Sequence, residues 1–257
     1  MTTNFSLPID LSHLQNDRIK LVPLEDKLQE WTTLWISTVH THPQTYAYLL
    51  YGPFATPADF ISWYDTSIRH DRSTLMLAII LKPGTIVPAR TQRSLNATDA
   101  SNEPEEELVI EEDTFAGLAG LTTPTASTAT SNLTADMGQL LLPRYHRTFV
   151  GTHANGLLLH HLLDPTPNGL ALRRVQWQPN ASNTASVNAA KRLGFRLEGV
   201  MRWAVVLPWG KIGDTVREGR EQGETKGRKA RHTAMLALCW DDWEGGGRDY
   251  VDRLMAR

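Results

Sequence analysis

At 257 residues, with 41% hydrophobic and 21% charged side chains, the chain holds ample material for a buried core. Its 26 basic residues stand against 28 acidic ones, and a net charge of -2 argues against a protein held on nucleic acid by bulk electrostatics. The single cysteine, Cys239, excludes an internal disulfide and a zinc site of paired cysteines.

The opening residues lack a basic stretch followed by an apolar one, and no run nears the roughly 18 apolar residues that span a bilayer. A cytoplasmic protein without membrane or nucleic-acid partners is the expectation. The spacing predicts a short strand at Arg18–Leu24, then a helix whose apolar face holds Leu24, Leu28, Trp31, Leu34 and Trp35. A second helix runs from Thr56, an N-cap before Pro57, to about Arg69. Leu75–Leu81, Thr114–Leu121 and Ala135–Leu142 are apolar runs that read as an antiparallel meander. After Pro143 the period turns helical: Val150, Ala154, Leu157, Leu158 and Leu162 share a face, and Pro165 ends the helix. Leu172–Gln178 reads as a strand and Asn183–Leu193 as a helix stopped by Gly194. Phe195–Leu207 and His232–Trp240 read as strands, and Asp242–Met255 as a terminal helix. That order makes an α/β (α+β) fold, a mixed sheet with helices on both faces.

Three segments differ in composition from the rest. Residues 82–113 contain no aromatic residue and carry seven acids between Glu103 and Asp113, so they bury little and are expected to be mobile. Residues 124–134 are rich in Ser and Thr. Residues 210–231 carry Lys211, Arg217, Arg220, Lys226, Arg228, Lys229 and Arg231 among five glycines, and read as a solvated basic loop. All three are taken as insertions into one domain, because the ordered pieces between them are too short to fold alone.

Two stretches carry the chemistry. In the first, a strand leads through Arg147 and Thr148 into a helix that passes Gly151 and Thr152. A helix start offers unpaired N–H groups and a positive dipole end to a phosphate or pyrophosphate. In the second, Asn183 and Ser186 lie one turn apart on a helix that follows a strand. Either stretch alone also fits an ordinary capped helix. His40 and His42 point apart and have no partner carboxylate nearby, so no metal site is expected. Cys239, in an apolar strand, reads as an inert buried hydrophobe.

Taken in order, the fragments are informative. They are Asp136-Met137-Gly138, Pro143, His146-Arg147-Thr148, Thr152-His153-Ala154, Trp177, Asn183 with Ser186, Ala189-Ala190, Arg192-Leu193-Gly194-Phe195, Glu198-Gly199 and Arg202. Together they resemble the GNAT superfamily of acyl-CoA N-acyltransferases. Within it they look like the RimJ/RimL-type branch, which includes ribosomal-protein N-terminal acetyltransferases. The resemblance implies a GNAT fold: a mixed, mostly antiparallel sheet of about seven strands, splayed between Ala135–Leu142 and Leu172–Gln178. It implies acetyl-CoA as co-substrate, with the pantetheine arm along Gln139, Leu140, Leu141 and Leu142. The pyrophosphate is implied at the backbone of Arg147, Thr148, Val150, Gly151 and Thr152, with Asn183 on the pantetheine and Ser186 near the sulfur. His146 and Phe149 depart from the superfamily's phosphate-loop pattern, and Ala190 stands where many members carry a Tyr acid.

An amine must lose a proton to attack a thioester, the developing oxyanion needs a fixed donor, and the departing thiolate needs a proton. Asp136 and His153 are the candidate bases, and Ser186 is the candidate acid. An N–H within Gln139–Leu141 is the simplest oxyanion donor. The implied activity is an N-acetyltransferase acting by direct attack in a ternary complex, as monomer or homodimer. Its acceptor would be an amine-bearing small molecule or a peptide N-terminus. The other readings are a non-catalytic acyl-CoA- or peptide-binding protein on the same fold, and a nucleotide- or phosphosugar-binding enzyme. The last lacks the GxxxxGK[ST] run of a phosphate-binding loop.

Overall fold

The computed structural model describes residues 3–89, 106–124, 129–217, 220 and 223–257. Strand β1 (Ile19–Pro23) passes through a 3-10 turn into helix α1 (Leu28–Val39). Trp31, Trp35, Ile36 and Val39 face inward, whereas Leu34, placed by its spacing on the apolar face, is 42% exposed. The helix starts at Leu28 and so turns its buried stripe towards Ile36 and Val39. Helix α2 (Pro57–Ser67) starts where Thr56 predicts it: the Thr56 hydroxyl accepts from the Asp59 amide, and the Asp59 carboxylate accepts from the Thr56 amide.

The main sheet contains β1, β2 (Thr74–Leu81), β5 (Thr114–Thr122), β6 (Thr134–Leu141), β7 (Arg174–Trp177), β9 (Ala230–Cys239) and β8 (Arg196–Val206), in that spatial order. Neighbours are antiparallel except β6 and β7. Along β2, Leu75 to Leu81 are buried on both faces, which explains their unbroken apolar run. Between β2 and β5, in the segment read as an unstructured insertion, β3 (Ile86–Ala89) pairs with β4 (Glu106–Val109). Val87 and Ile110 bury their side chains, so the ends of that segment join the core. Residues 90–105 of that insertion, 125–128 of the second, and 218, 219, 221 and 222 of the third lie outside the described residues.

Helix α3 (Phe149–Leu163) joins β6 to β7 and is buried along nearly all of its length. Helix α4 (Thr184–Arg192) follows β7 and ends at Gly194, whose φ of +94° suits glycine. The C-terminal segment is not one helix. After a turn at Trp240–Asp242 it breaks at Gly246, φ +116°, before α5 (Arg248–Met255) packs on α3. Cys239 is half-buried rather than buried, 3.9 Å from an Arg174 nitrogen.

Strand register sorts the helices between two faces. Asp136 and Gly138 share a face with Gly120, Ile80 and Phe115. Phe115 stacks on Trp31 at 6.0 Å, which places α1 on that face. Gln139, Leu141 and Trp177 point to the other face, where Gln139 lies against Gly151 of α3 and Trp177 bonds to Ser186 of α4.

Candidate active site

The parallel pair β6–β7 is short. Thr134, Ala135 and Asp136 pair with Arg174, Val175 and Gln176, and the ladder stops there. Beyond Asp136 the β6 backbone stays bonded to β5 but not to β7, so Met137 to Leu141 border a gap between the strands. This gap joins the two faces of the sheet, and it sits where the two sequence stretches converge.

Asp136 marks its closed end. Its Oδ1 accepts 2.7 Å from the Gln178 amide, the first residue after β7. Burial raises its pKa above the usual 3.8, opposed by the Gln178 bond and the Arg174 charge. A carboxylate that binds its proton more firmly than usual is a better base once ionised.

Ser186 lies on the opposite face. Its Oγ accepts 3.0 Å from the Trp177 indole, which leaves the hydroxyl proton uncommitted among the described residues. The Asn183 side chain caps α4 by accepting from the Ser186 amide at 3.1 Å, so it fixes the helix start that carries Ser186.

The α3 start is partly occupied by the protein itself. Thr148 caps it, accepting from the Val150 amide at 3.3 Å, and Arg147 takes a left-handed φ of +60° just before. The cap leaves the Phe149 and Gly151 amides as the open donors of the first turn. Gln139 reaches over Gly151 so closely that a Cβ there would come within 2.7 Å of its Nε2. The Gln139 Oε1 is buried with no hydrogen-bond partner among the described residues. His146 turns its Nε2 to the Leu141 carbonyl at 3.1 Å, at the end of β6. Phe149, where the superfamily pattern has a glycine, directs its ring to Arg18 (4.8 Å) and His153 (5.0 Å), on the β1 side of α3. Thr152 is buried, and its Oγ1 accepts 2.8 Å from Arg192, which ties α3 to α4. Leu140 lies on the Asp136 face, and Leu142 is buried below the turn at Pro143.

His153, the other candidate base, is not brought to the gap. Asn16 uses its carbonyl oxygen for the Arg18 and Ile19 amides, so its Nδ2 donates to His153 Nδ1 at 2.9 Å. That bond takes the lone pair a neutral imidazole would use as a base. Burial, and then the Arg18 charge, lower the His153 pKa. His153 therefore packs α3 against the N-terminal segment.

Three residues have contacts here that the sequence does not show. Gln178 and Trp177 orient Asp136 and Ser186, a relation that needs the strand register to be seen. Lys211, read as solvated, is 4% exposed and bonded to two carbonyls of the α1–α2 connection.

A sheet opened between parallel strands, with a helix start, a buried carboxylate and a serine hydroxyl at the opening, is the arrangement of the GNAT fold. Residues 18–196 match the family model described as the acetyltransferase (GNAT) domain, and the chain belongs to this family. No curated protein matches it in sequence. Among solved structures it is similar to a GCN5-related N-acetyltransferase from Brucella melitensis, at 22% identity and a TM-score of 0.63, covering 94% of this chain and 84% of that one. It is similar to the microcin C7 self-immunity acetyltransferase MccE, solved with acetyl-CoA and AMP, at 16% identity and a TM-score of 0.55 over 87% and 93%. It also resembles spermidine N-acetyltransferase from Vibrio cholerae, solved with CoA and spermine, at 11% identity and a TM-score of 0.54 over 89% and 99%. At these identities the likeness concerns the fold.

Proposed function

We propose that the protein is an N-acetyltransferase that moves the acetyl group of acetyl-CoA to an amine by direct attack in a ternary complex. Acetyltransferases of this family use acetyl-CoA. The observation that carries the reading is the β6–β7 gap, which opens immediately after Asp136 and beside the uncapped amides of α3. When bound, acetyl-CoA supplies a thioester whose acyl carbon accepts the amine nitrogen as its C–S bond breaks.

The residues present fit that molecule. The β6 edge from Gln139 to Leu142 has no ladder to β7, and its gap-facing backbone groups at Gln139 and the Leu141 amide can meet a pantetheine arm, while the Gln139 Oε1, without a partner among the described residues, offers an acceptor to one of its amides. The Gly151 and Phe149 amides, with the backbone from Arg147 to Thr152, face the diphosphate, and Asn183 stands at the arm's far side. Asp136, on the α1–α2 face, takes the amine proton. Ser186, held by Trp177, gives its proton to the departing thiolate. His153 takes no part.

The amine is a small molecule or a peptide N-terminus, in keeping with a RimJ/RimL-type protein. The chain acts as a single domain with insertions, in the cytoplasm. Among the described residues no helix is long and apolar enough to cross a membrane. The test is release of CoA thiol from acetyl-CoA over a panel holding a peptide with a free N-terminal serine, spermidine and an amino sugar. Amine-dependent release that falls in Asp136→Asn supports transfer.

A second reading has its own observation: His146 on the Leu141 carbonyl and Gln139 over Gly151 fill part of the cradle. Acetyl-CoA binding with no thiol release for any amine would favour that reading, a binding protein.

A further inference from the structure

We propose that Lys211 is a positioning residue for the acceptor side of this site, fixing the connection between α1 and α2 at the β7 side of the β6–β7 gap. The inference rests on the transfer reading above for the word acceptor, but its geometry stands alone. The Lys211 Nζ donates to the carbonyls of Tyr46 at 2.9 Å and Tyr51 at 2.8 Å, and lies 5.6 Å from the Tyr46 ring centre. No carboxylate among the described residues pairs with it. A buried ammonium without a counter-ion is costly to keep, and an apolar side chain would pack there without that cost. What the ammonium adds is a fork that joins two carbonyls five residues apart and holds the loop between them closed.

The neighbouring bonds show what this loop is fastened to. The Ile212 amide donates to the Ala47 carbonyl at 2.9 Å, and the Ile212 carbonyl accepts from Asn180 Nδ2 at 3.1 Å. Asn180 lies two residues beyond Gln178, whose amide holds Asp136. The middle of the connection is thus tied to the end of β7. The Tyr46 bond to Trp35 of α1, whose Trp31 stacks on Phe115, sets the connection on the sheet face that carries Asp136, beside the end of β7. The connection's middle is stiff. The Tyr46 hydroxyl accepts from the Trp35 indole at 2.7 Å, and Gly52, φ +58°, admits the Tyr46 ring where a Cβ would come within 2.5 Å.

The test uses the full chain and Lys211→Met, which keeps the apolar stem and removes the ammonium. By hydrogen exchange, amides 43–52 should open at least about tenfold faster than in the wild type, while β5 and β6 keep their protection. In steady state, KM should rise about tenfold or more for the panel amine that turns over fastest, with KM for acetyl-CoA unchanged. Asn180→Ala, which cuts the tie to β7 and leaves the ammonium, should shift both in the same direction by less, and it decides the matter if Lys211→Met does not fold. Wild-type exchange over 43–52 with an unchanged amine KM overturns the inference. So does a parallel rise in both KM values, which marks general loosening. If the wild type transfers nothing to any amine, the transfer reading fails, and the exchange result still shows whether Lys211 holds the loop.

Discussion

The face of the gap that carries α3 and α4 is assembled within the span from β6 to α4, with Trp177 meeting Ser186 over 9 residues and Arg192 meeting Thr152 over 40. On the face that carries α1 and α2, Lys211 reaches Tyr46, 165 residues away. Local contacts leave a motif in the sequence, because cap, helix and strand residues must keep their spacing. A long-range contact leaves one lysine in a glycine-rich basic segment, where its neighbours are solvated. The face that carries α3 and α4 is therefore readable, and the fastening of the α1–α2 connection is not.

Substitutions can separate the two faces, and the largest effect is expected at their junction. Asp136→Asn keeps an oxygen for the Gln178 amide but removes the base, and the rate of thiol release should fall by about 100-fold or more. The folded pKa of Asp136 is raised, so the folded state holds its proton more firmly than the unfolded chain does. Ionisation then costs stability once pH passes the raised value, and Asn removes that cost. Tm at neutral pH should be unchanged or higher. The wild-type rate should rise with pH through a midpoint above 3.8, and that limb should vanish in the variant. A large loss of Tm instead would make Asp136 a structural residue.

Ser186→Ala should lower kcat by about tenfold or more with little change in KM for acetyl-CoA. Trp177→Phe, which removes the indole donor, should move kcat in the same direction by less. If both variants keep full kcat, the thiolate takes its proton elsewhere.

The Gln139 amide offers a smaller and more diagnostic change. Gln139→Leu removes a buried acceptor that has no partner among the described residues, so Tm should hold or rise. If that oxygen receives a pantetheine amide, acetyl-CoA should bind roughly 3- to 10-fold more weakly, which calorimetry would read. Tighter binding would instead mark Gln139 as an obstruction in the cradle.

At the small end, Thr56→Ala breaks the capping box of α2 and should cost about 1 kcal/mol of stability, with acetyl-CoA binding intact.

These contrasts also explain how far the sequence could be read. The meander β2–β5–β6, the helix after Pro143, the Gly194 stop and the Thr56 cap all follow from local periodicity and turn chemistry. The pairing of β3 with β4 does not, because its composition is that of a loop, and the burial of Val87 and Ile110 shows only in the structure. Asp136 and Ser186 are named by motif, but which faces they occupy depends on strand register. His153 could be set aside only once Asn16, 137 residues away, was seen to hold its Nδ1. Phe149 resolves in the same way, since nothing local says that its ring turns towards Arg18.

Thermal unfolding with acetyl-CoA, beside ATP as control, tests most directly whether the β6–β7 gap is an acyl-CoA site. Acetyl-CoA at 100 times its Kd should add about 2.7 kcal/mol, roughly 5–10 °C in Tm for a domain of this size, with no shift from ATP. No shift with acetyl-CoA, or an equal shift with ATP, would contradict the assignment and mean that Gln139 and His146 close the gap to it.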